Sequence, residues 1–334
     1  MRGIALVFLM AGGLRAAAAP GSDAFLGRWA LTIPNGAAGW LEVKKENGWY
    51  DGSLLWGGGS VVPVSSATIA DGVLTVTKVR DVERKDSAGK PMRKQQITET
   101  FTVQIDGETL KGTQTNPRNN GNGVDRGEFT GKRIPALPAQ PNLAAVKFGE
   151  PITLFNGRDL SGWRLIESNA KNGWSIENGA LANRPPPHVE GQPRARFGNL
   201  RTDLEFEDFN LKFEVSVPQG SNSGVYLRGI YEVQVFDSFG KPLDSHNMGA
   251  IYSRLTPSVA AEKPPGEWQS LDITLVDRHA TVVLNGKTII DNQPLAGCTG
   301  GAMWSDQFRP GPIYLQGDHG AVSYRNFTLR PVVK

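Results

Sequence analysis

Residues 221–240 read SNSGVYLRGIYEVQVFDSFG, and the alternation in this stretch decides the fold class. Tyr231, Val233 and Val235 fall on one side of an extended chain, and Glu232 and Gln234 fall on the other. In the preceding run, Asn222, Gly224, Tyr226 and Arg228 share one face, and Ser223, Val225 and Leu227 share the opposite face. A period of two over runs this short is the signature of strands packed on one side. Working outward, Asn285–Gly286 is a two-residue hairpin signal between runs at 279–284 and 288–292. Further runs lie at 172–176, 180–183, 200–202, 208–217, 268–276, 313–316 and 322–330. About eleven strands and no helical period predict a two-sheet jelly roll over 149–334.

The first half reads the same way. Runs at 41–44, 48–55, 61–69, 73–79, 96–105, 109–115 and 128–132 alternate, with Asn47–Gly48 and Asp106–Gly107 as turns. The stretch FLGRW at 25–29 opens the set, and polar loops are expected at 85–94 and 116–125. A small antiparallel barrel or sandwich over 24–133 follows, so the whole chain is predicted to be all-β. Between the halves, IPALPAQPN at 134–142 holds three prolines. Proline stiffens extended chain and removes donors, so 134–148 is read as a linker. On that reading residues 145–334 fold alone and hold every candidate site residue.

Composition excludes several classes. The 334-residue chain is 39% hydrophobic with a formal net charge of +3, and its basic residues are interleaved with acidic ones. Nucleic-acid binding rests on clustered phosphate contacts, and no such cluster is present in the sequence. Cys298 is the one cysteine, so neither an intramolecular disulfide nor a Cys-rich zinc site can form. In its Gly-rich loop it reads as buried filler. Residues 1–19 read as a signal peptide: Arg2, a brief apolar run at 4–10, then small residues at 16–19. That run is too short to span a bilayer. The expected location is therefore periplasmic or secreted. Nothing in the pattern fixes the oligomeric state.

Three clusters carry candidate chemistry. In the first, small residues at 221–224 allow close approach of a ligand, with Asn222, Tyr226 and Arg228 on the same face. In the second, Glu232 and Gln234 share a face, and a bulge after Val235 would bring Asp237 round to join them. That spacing resembles the acidic strand of retaining jelly-roll glucanases, which need two neighbouring carboxyls. In the third, Gln316, Asp318 and His319 lie around Gly317 and Gly320, which suggests a bulge aiming side chains into a cleft. A neutral His beside a carboxylate can act as a general base. His246 is a further candidate base, and Tyr252 and Trp304 are candidate sugar-stacking rings. His188 and His279 read as solvent-facing, and Trp163, Trp174 and Trp268 as core.

Residues 151–332 resemble the 3-keto-disaccharide hydrolase family along nearly their whole length. The matching stretches are LFNGRDLSGW (154–163), NSGVYLRG (222–229), YEVQVFDSFGKP (231–242), GAIY (249–252), PPGEWQS (264–270), LNGK (284–287) and GPIYLQGDHGAVSYRN (311–326). The family's last stretch usually reads Leu-Gln-Asp-His-Gly; here Gly317 is inserted. The resemblance implies a concanavalin-like jelly roll acting on glycosides already oxidised at C3. The ketone acidifies the C2 proton, a base removes it, and the C1 oxygen leaves by β-elimination, with water able to add afterwards. On this reading Glu232, His246 or His319 is the base and Arg228 the oxyanion partner. No cofactor is required; a divalent metal such as calcium would share the polarising role, with Glu232, Asp318 and His319 as its conceivable ligands. A retaining glucanase using Glu232 and Asp237 and a non-catalytic carbohydrate-binding protein are the alternatives. In the native host, mass spectrometry of periplasmic protein is expected to show removal of roughly the first 18 residues; an intact Met1 would refute export by this route.

Overall fold

The computed structural model describes residues 21–186 and 197–333. The expected signal peptide and His188 lie outside them. The chain forms strands β1 (Gly27–Thr32), β2 (Ala38–Glu46), β3 (Trp49–Trp56), β4 (Val62–Pro63), β5 (Ser66–Ala70), β6 (Val73–Lys85), β7 (Pro91–Asp106), β8 (Thr109–Pro117) and β9 (Val124–Ile134). These make one antiparallel sheet in the order β4-β3-β2-β1-β9-β8-β7-β6-β5. The two edge strands are consecutive in sequence, joined only by Val64 and Ser65. Val64 N donates to Gly52 O on one edge at 3.0 Å, and Ser65 N donates to Thr77 O on the other at 2.8 Å. The sheet therefore curls until its edges meet, which selects the barrel over the sandwich. Side chains that alternate inward, including Trp29, Leu31, Leu41, Leu54, Leu74, Phe101, Val103 and Phe129, fill it.

The expected strand at 61–69 breaks after Pro63, at Val64 and Ser65, where the chain crosses from one edge to the other. The β6–β7 hairpin is longer than expected. Its ladder continues to Lys85 and Pro91, so the polar loop expected at 85–94 shrinks to a turn at 86–90.

The second half adds β10 (Ile152–Thr153), β11 (Trp163–Leu165), β12 (Trp174–Glu177), β13 (Ala180–Asn183), β14 (Leu200–Thr202), β15 (Phe209–Ser216), β16 (Asn222–Leu227), β17 (Tyr231–Phe236), β18 (Trp268–Val276), β19 (His279–Leu284), β20 (Lys287–Pro294), β21 (Tyr314–Leu315) and β22 (Val322–Pro331). They build an eight-stranded antiparallel sheet around β13, β22, β15 and β18, and a five-stranded sheet in the order β11-β14-β21-β16-β17. The inward faces share one core that includes Phe209, Phe213, Val225, Val233, Ile273, Leu315 and Phe327. This is a two-sheet sandwich of the jelly-roll class. Two side chains depart from expectation. His279 is buried, its Nδ1 2.9 Å from Asp277 O. Trp268 is half-buried beneath the Arg325 guanidinium, 4.0 Å from its ring. Trp163 and Trp174 do lie in the core.

Barrel and sandwich share buried surface. Ala38, Trp40 and Leu55 of the barrel belong to the sandwich's core cluster. Trp40 Nε1 donates to Ala296 O at 3.0 Å, and the Arg254 guanidinium lies 4.0 Å from the Trp40 ring. Buried Cys298 lies against Gly39, and burial pushes its thiol up to about 11. The Pro-rich connection is fastened to the sandwich: Arg278 donates to Ala136 O, and Asn292 Nδ2 donates to Pro141 O, each at 2.9 Å. Because Trp40 is 2% exposed at this junction, Trp40→Ala is expected to cost about 3–5 kcal/mol in a denaturant titration. A loss below about 1 kcal/mol would mean that the two parts do not depend on this contact.

Candidate functional site

The face of the five-stranded sheet turned away from the core carries the site. In the β16–β17 ladder Tyr226 pairs with Glu232 and Gly224 with Gln234; in the β16–β21 ladder Tyr226 pairs with Tyr314. Alternation sends Tyr231, Val233 and Val235 into the core and leaves Glu232 and Gln234 on the other side. These two line a cleft of about 250 Å³ with Asn222, Tyr226, Tyr252, Tyr314, Gln316, Asp318 and His319, and with glycines 58, 59, 300 and 301. Residues 249–252 cover the free edge of β17: Gln234 N donates to Ala250 O at 2.9 Å and Tyr252 N to Glu232 O at 3.0 Å. That pairing sets Tyr252 in the cleft.

Glu232 is 3% exposed, not the solvated strand carboxylate that its polar pattern suggests. Gly224 makes room for it, since a Cβ there would collide with the carboxyl. The Gln234 amide nitrogen, in the orientation that satisfies its neighbours, donates to Glu232 Oε1 and Ser223 O at 3.2 Å each. The Tyr226 hydroxyl lies 2.9 Å from Glu232 Oε2 and 2.7 Å from Gly300 O, and accepts from Gln316 Nε2 at 3.1 Å. A single hydroxyl proton serves one acceptor at a time. Tyr226 can donate to the carboxylate when Glu232 is ionised, or to Gly300 O while accepting from Glu232 when it is protonated. Burial pushes Glu232 up to about 8; the Tyr226 hydrogen bond and nearby His319 oppose this, and Asp318 adds to it. Burial also holds Tyr226 well above the usual phenol range. Its ring stacks on Tyr314, with centroids 4.1 Å apart and planes 10° from parallel. Among the described residues, Gln316 Oε1 and Asn222 Oδ1 are buried acceptors without a hydrogen-bond partner, a provision for ligand donors.

Asp318 and His319 follow β21 in a bend, not a strand, so neighbouring side chains converge. His319 Nδ1 and Asp318 Oδ1 are 2.7 Å apart. The carboxylate thus orients the imidazole, which strict strand alternation would have prevented.

Four expected site residues stand elsewhere. The strand ends at Leu227, and Arg228 adopts a left-handed turn with φ 55°, which breaks the alternation that placed it beside Tyr226. Its guanidinium is buried, donating to Gln307 O at 2.6 Å and Arg309 O at 2.8 Å, so the oxyanion role assigned to it has no geometric basis. Asp237 follows β17 without the expected bulge, and its Oδ2 accepts from Gly220 N at 2.8 Å outside the cleft. Trp304 is covered by the Arg309 guanidinium at 3.9 Å, and it does not line the cleft. His246 sits behind Tyr252 in an edge-on contact, its Nδ1 paired with Asp244. Glu232, Asp318 and His319 do not gather as ligands: among the described residues no three His, Cys, Asp or Glu side chains are placed to hold a metal ion. Tyr314 and the four glycines are site residues that the sequence reading did not single out. Tyr314 was legible, being two residues before Gln316 on the same strand face.

Fold and cleft together define a jelly-roll sandwich with a buried acid and an Asp–His pair facing one small polar cavity. A family model described as a 3-keto-alpha-glucoside-1,2-lyase-like domain matches residues 150–330, and the chain belongs to that family. A Bacteroides thetaiotaomicron protein named 3-keto-disaccharide hydrolase is 28% identical over 149 residues, covering 36% of this chain and 51% of its own length. The chain thus spans about half the length of that curated relative. A solved structure from Parabacteroides distasonis with a provisional glycosyl hydrolase name is 28% identical, covers 59% of this chain and 94% of its own, and superposes with a TM-score of 0.44. A second from the same organism is 21% identical, with coverages of 55% and 94% and a TM-score of 0.43.

Burial of Glu232 makes a stability prediction independent of activity. Folding raises its carboxyl from 4.5 to about 8, so the unfolded chain binds fewer protons between those values. Stability is greatest below the lower value and is lost as pH rises through the upper one. Glu232→Gln removes that loss. Relative to the parent, the variant is expected to gain on the order of a few kcal/mol between about pH 5 and about pH 9. Parallel stability curves for the two proteins would show that the carboxyl is not buried as described.

Proposed function

We propose that the protein cleaves the glycosidic bond of 3-keto-glycosides by proton abstraction at C2 and β-elimination at C1. The observation that carries this reading is the placement of two proton-transfer groups of different character in one cleft: Glu232, buried and raised to about 8, and His319, oriented by Asp318. An elimination needs one group to take a proton and another to give one. With Nδ1–H donated to Asp318, neutral His319 has its lone pair on Nε2, the form of a base. It takes the C2 proton, and the electron pair forms the enolate of the 3-ketone. The enolate reforms the carbonyl as C1=C2 forms and the C1–O bond breaks. Glu232, mostly protonated at neutral pH, supplies the proton to the departing oxygen, and Gln234 and Tyr226 hold the resulting carboxylate. Water adding across C1=C2 would turn elimination into net hydrolysis. Gln316 and Asn222 present acceptors to sugar hydroxyls, and Tyr252 and Tyr314 present rings.

A retaining glucanase using Glu232 and Asp237 is disfavoured, because it needs two carboxyls about 5–5.5 Å apart and Asp237 is held at Gly220, outside the cleft. The test is an incubation with an ordinary glucoside and with its 3-keto form. Cleavage of the keto form alone is expected. Cleavage of both would identify an ordinary glycosidase, and cleavage of neither a sugar-binding protein. His319→Gln and Glu232→Gln should each lower turnover of the keto substrate by about 10²–10⁴. If both variants turn over at the parent rate, neither group carries the chemistry.

A further inference from the structure

The cleft is not built from the sandwich alone. Gly58 and Gly59, in the loop after β3, line it beside Gly300 and Gly301. The approach is close. Gly301 N donates to Gly57 O at 3.3 Å, and a Cβ at Gly300 would collide with the Gly59 backbone. Two more bonds fix the loop: Val61 N donates to Ser253 Oγ at 2.9 Å, and Ser60 Oγ lies 2.8 Å from His246 Nε2. His246 stands edge-on to Tyr252 at 4.8 Å between centroids, and Tyr252 lines the cleft. Behind the loop, Trp40 and Leu55 are buried in the sandwich core. The family match begins at residue 150, so this contribution comes from outside the matched domain.

We propose that the barrel's 57–60 loop is a specificity wall of the site, limiting the size of the group that flanks the bound sugar ring; the identity of the ring rests on the function proposed above. A volume of about 250 Å³ lies below the roughly 300–1,000 Å³ of ordinary small-molecule sites, so side-chain bulk added at its edge is felt. The wall is thin because it is made of bare backbone. Gly59, at φ +85°, needs glycine for its conformation. Gly58 is outside the left-handed region, and a Cβ there would meet nothing within 4 Å. Position 58 can therefore be enlarged without straining the fold.

The experiment uses the full chain with Gly58→Ala, Gly58→Leu and Gly58→Trp, assayed on 3-keto-glucosides carrying a methyl or a glucosyl leaving group. Melting temperatures should stay at the parent value. Activity as kcat/KM should fall stepwise with side-chain size, reaching at least about tenfold for tryptophan on the glucosyl substrate and less on the methyl one. Parental activity of Gly58→Trp on both substrates would overturn the proposal. If the parent cleaves no 3-keto-glycoside, the catalytic reading fails and the wall is decided by charge. Gly58→Lys and Gly58→Glu are then melted from about pH 5 to about pH 9. A cation across the cleft favours ionised Glu232 and should flatten the loss of stability with pH, while an anion should steepen it. Coincident curves would show that position 58 does not face the cleft.

Discussion

A carboxyl group buried in the middle of a sheet face is the constraint from which the rest of this site follows. An uncompensated carboxylate in such a place costs several kcal/mol, so its neighbours are restricted. Position 224 must lack a side chain, because any Cβ there would occupy the carboxyl's space. Position 226 must supply a donor that can also accept, which a tyrosine hydroxyl does and a phenylalanine cannot. The backbone around Glu232 is fixed as well. Its N–H donates to Thr299 Oγ1 at 2.9 Å, and Thr299 N donates to Ile230 O at 2.9 Å. The 299–301 loop is thereby tied to the start of β17, and its Gly300 carbonyl completes the acceptor set of Tyr226. The barrel touches this same loop. A chain of contacts thus leads from one buried acid through β17 and residues 299–301 to a barrel whose first strand starts at Gly27.

How much of this was legible depends on the range of the interaction that decided each point. The second-half strands were readable because alternation is local, and each strand has one face in a continuous apolar core. The same rule put Asn222, Tyr226, Glu232, Gln234 and Gln316 on the cleft side. It misplaced Arg228 because a strand-period argument holds only while the strand lasts, and the left-handed turn at 228 is not visible in NSGVYLRG. It misplaced Asp237 by assuming a bulge where the ladder runs in register to Phe236. His279 looked solvent-facing because DRH at 277–279 reads as a turn, but it starts a strand in the core sheet. The barrel's share of the cleft was illegible for a different reason. The runs at 48–55 and 61–69 leave 56–60 as an unassigned connection, and only the three-dimensional approach of Gly59 to Gly300 gives its glycines a role.

The burial of Trp40 explains why a Pro-rich segment does not behave as a free tether here. Prolines make 134–148 stiff and poor in donors, which is what a spacer needs. Yet the segment's carbonyls remain as acceptors, and Arg278 and Asn292 use them. A stiff segment loses little entropy when docked. The properties that suggest separation of two domains therefore also make it inexpensive to hold them together, and the apolar junction at Trp40 decides which outcome prevails.

Gly317 lies where the chain departs from the Leu-Gln-Asp-His-Gly stretch of the family it resembles, and the structure accommodates it at the end of a strand. In a strict strand one added residue would send every later side chain to the opposite face. Here β21 ends at Leu315, and residue 317 lies in irregular chain pinned from both sides. Its N–H donates to Asn199 Oδ1 at 2.7 Å, and its carbonyl accepts from Asn183 Nδ2 at 2.9 Å. A side chain at 317 would collide with the Gly198 carbonyl, so only glycine lets the backbone pass. Gln316 keeps the strand's alternation and stays on the cleft side, beside Tyr226. The chain leaves the strand at 317, and the bend that follows turns both Asp318 and His319 toward the same cavity. The side chain of Asp318 lies against the imidazole because the strand has already ended, and that local loss of regularity creates the oriented His that an unbroken β21 could not have presented.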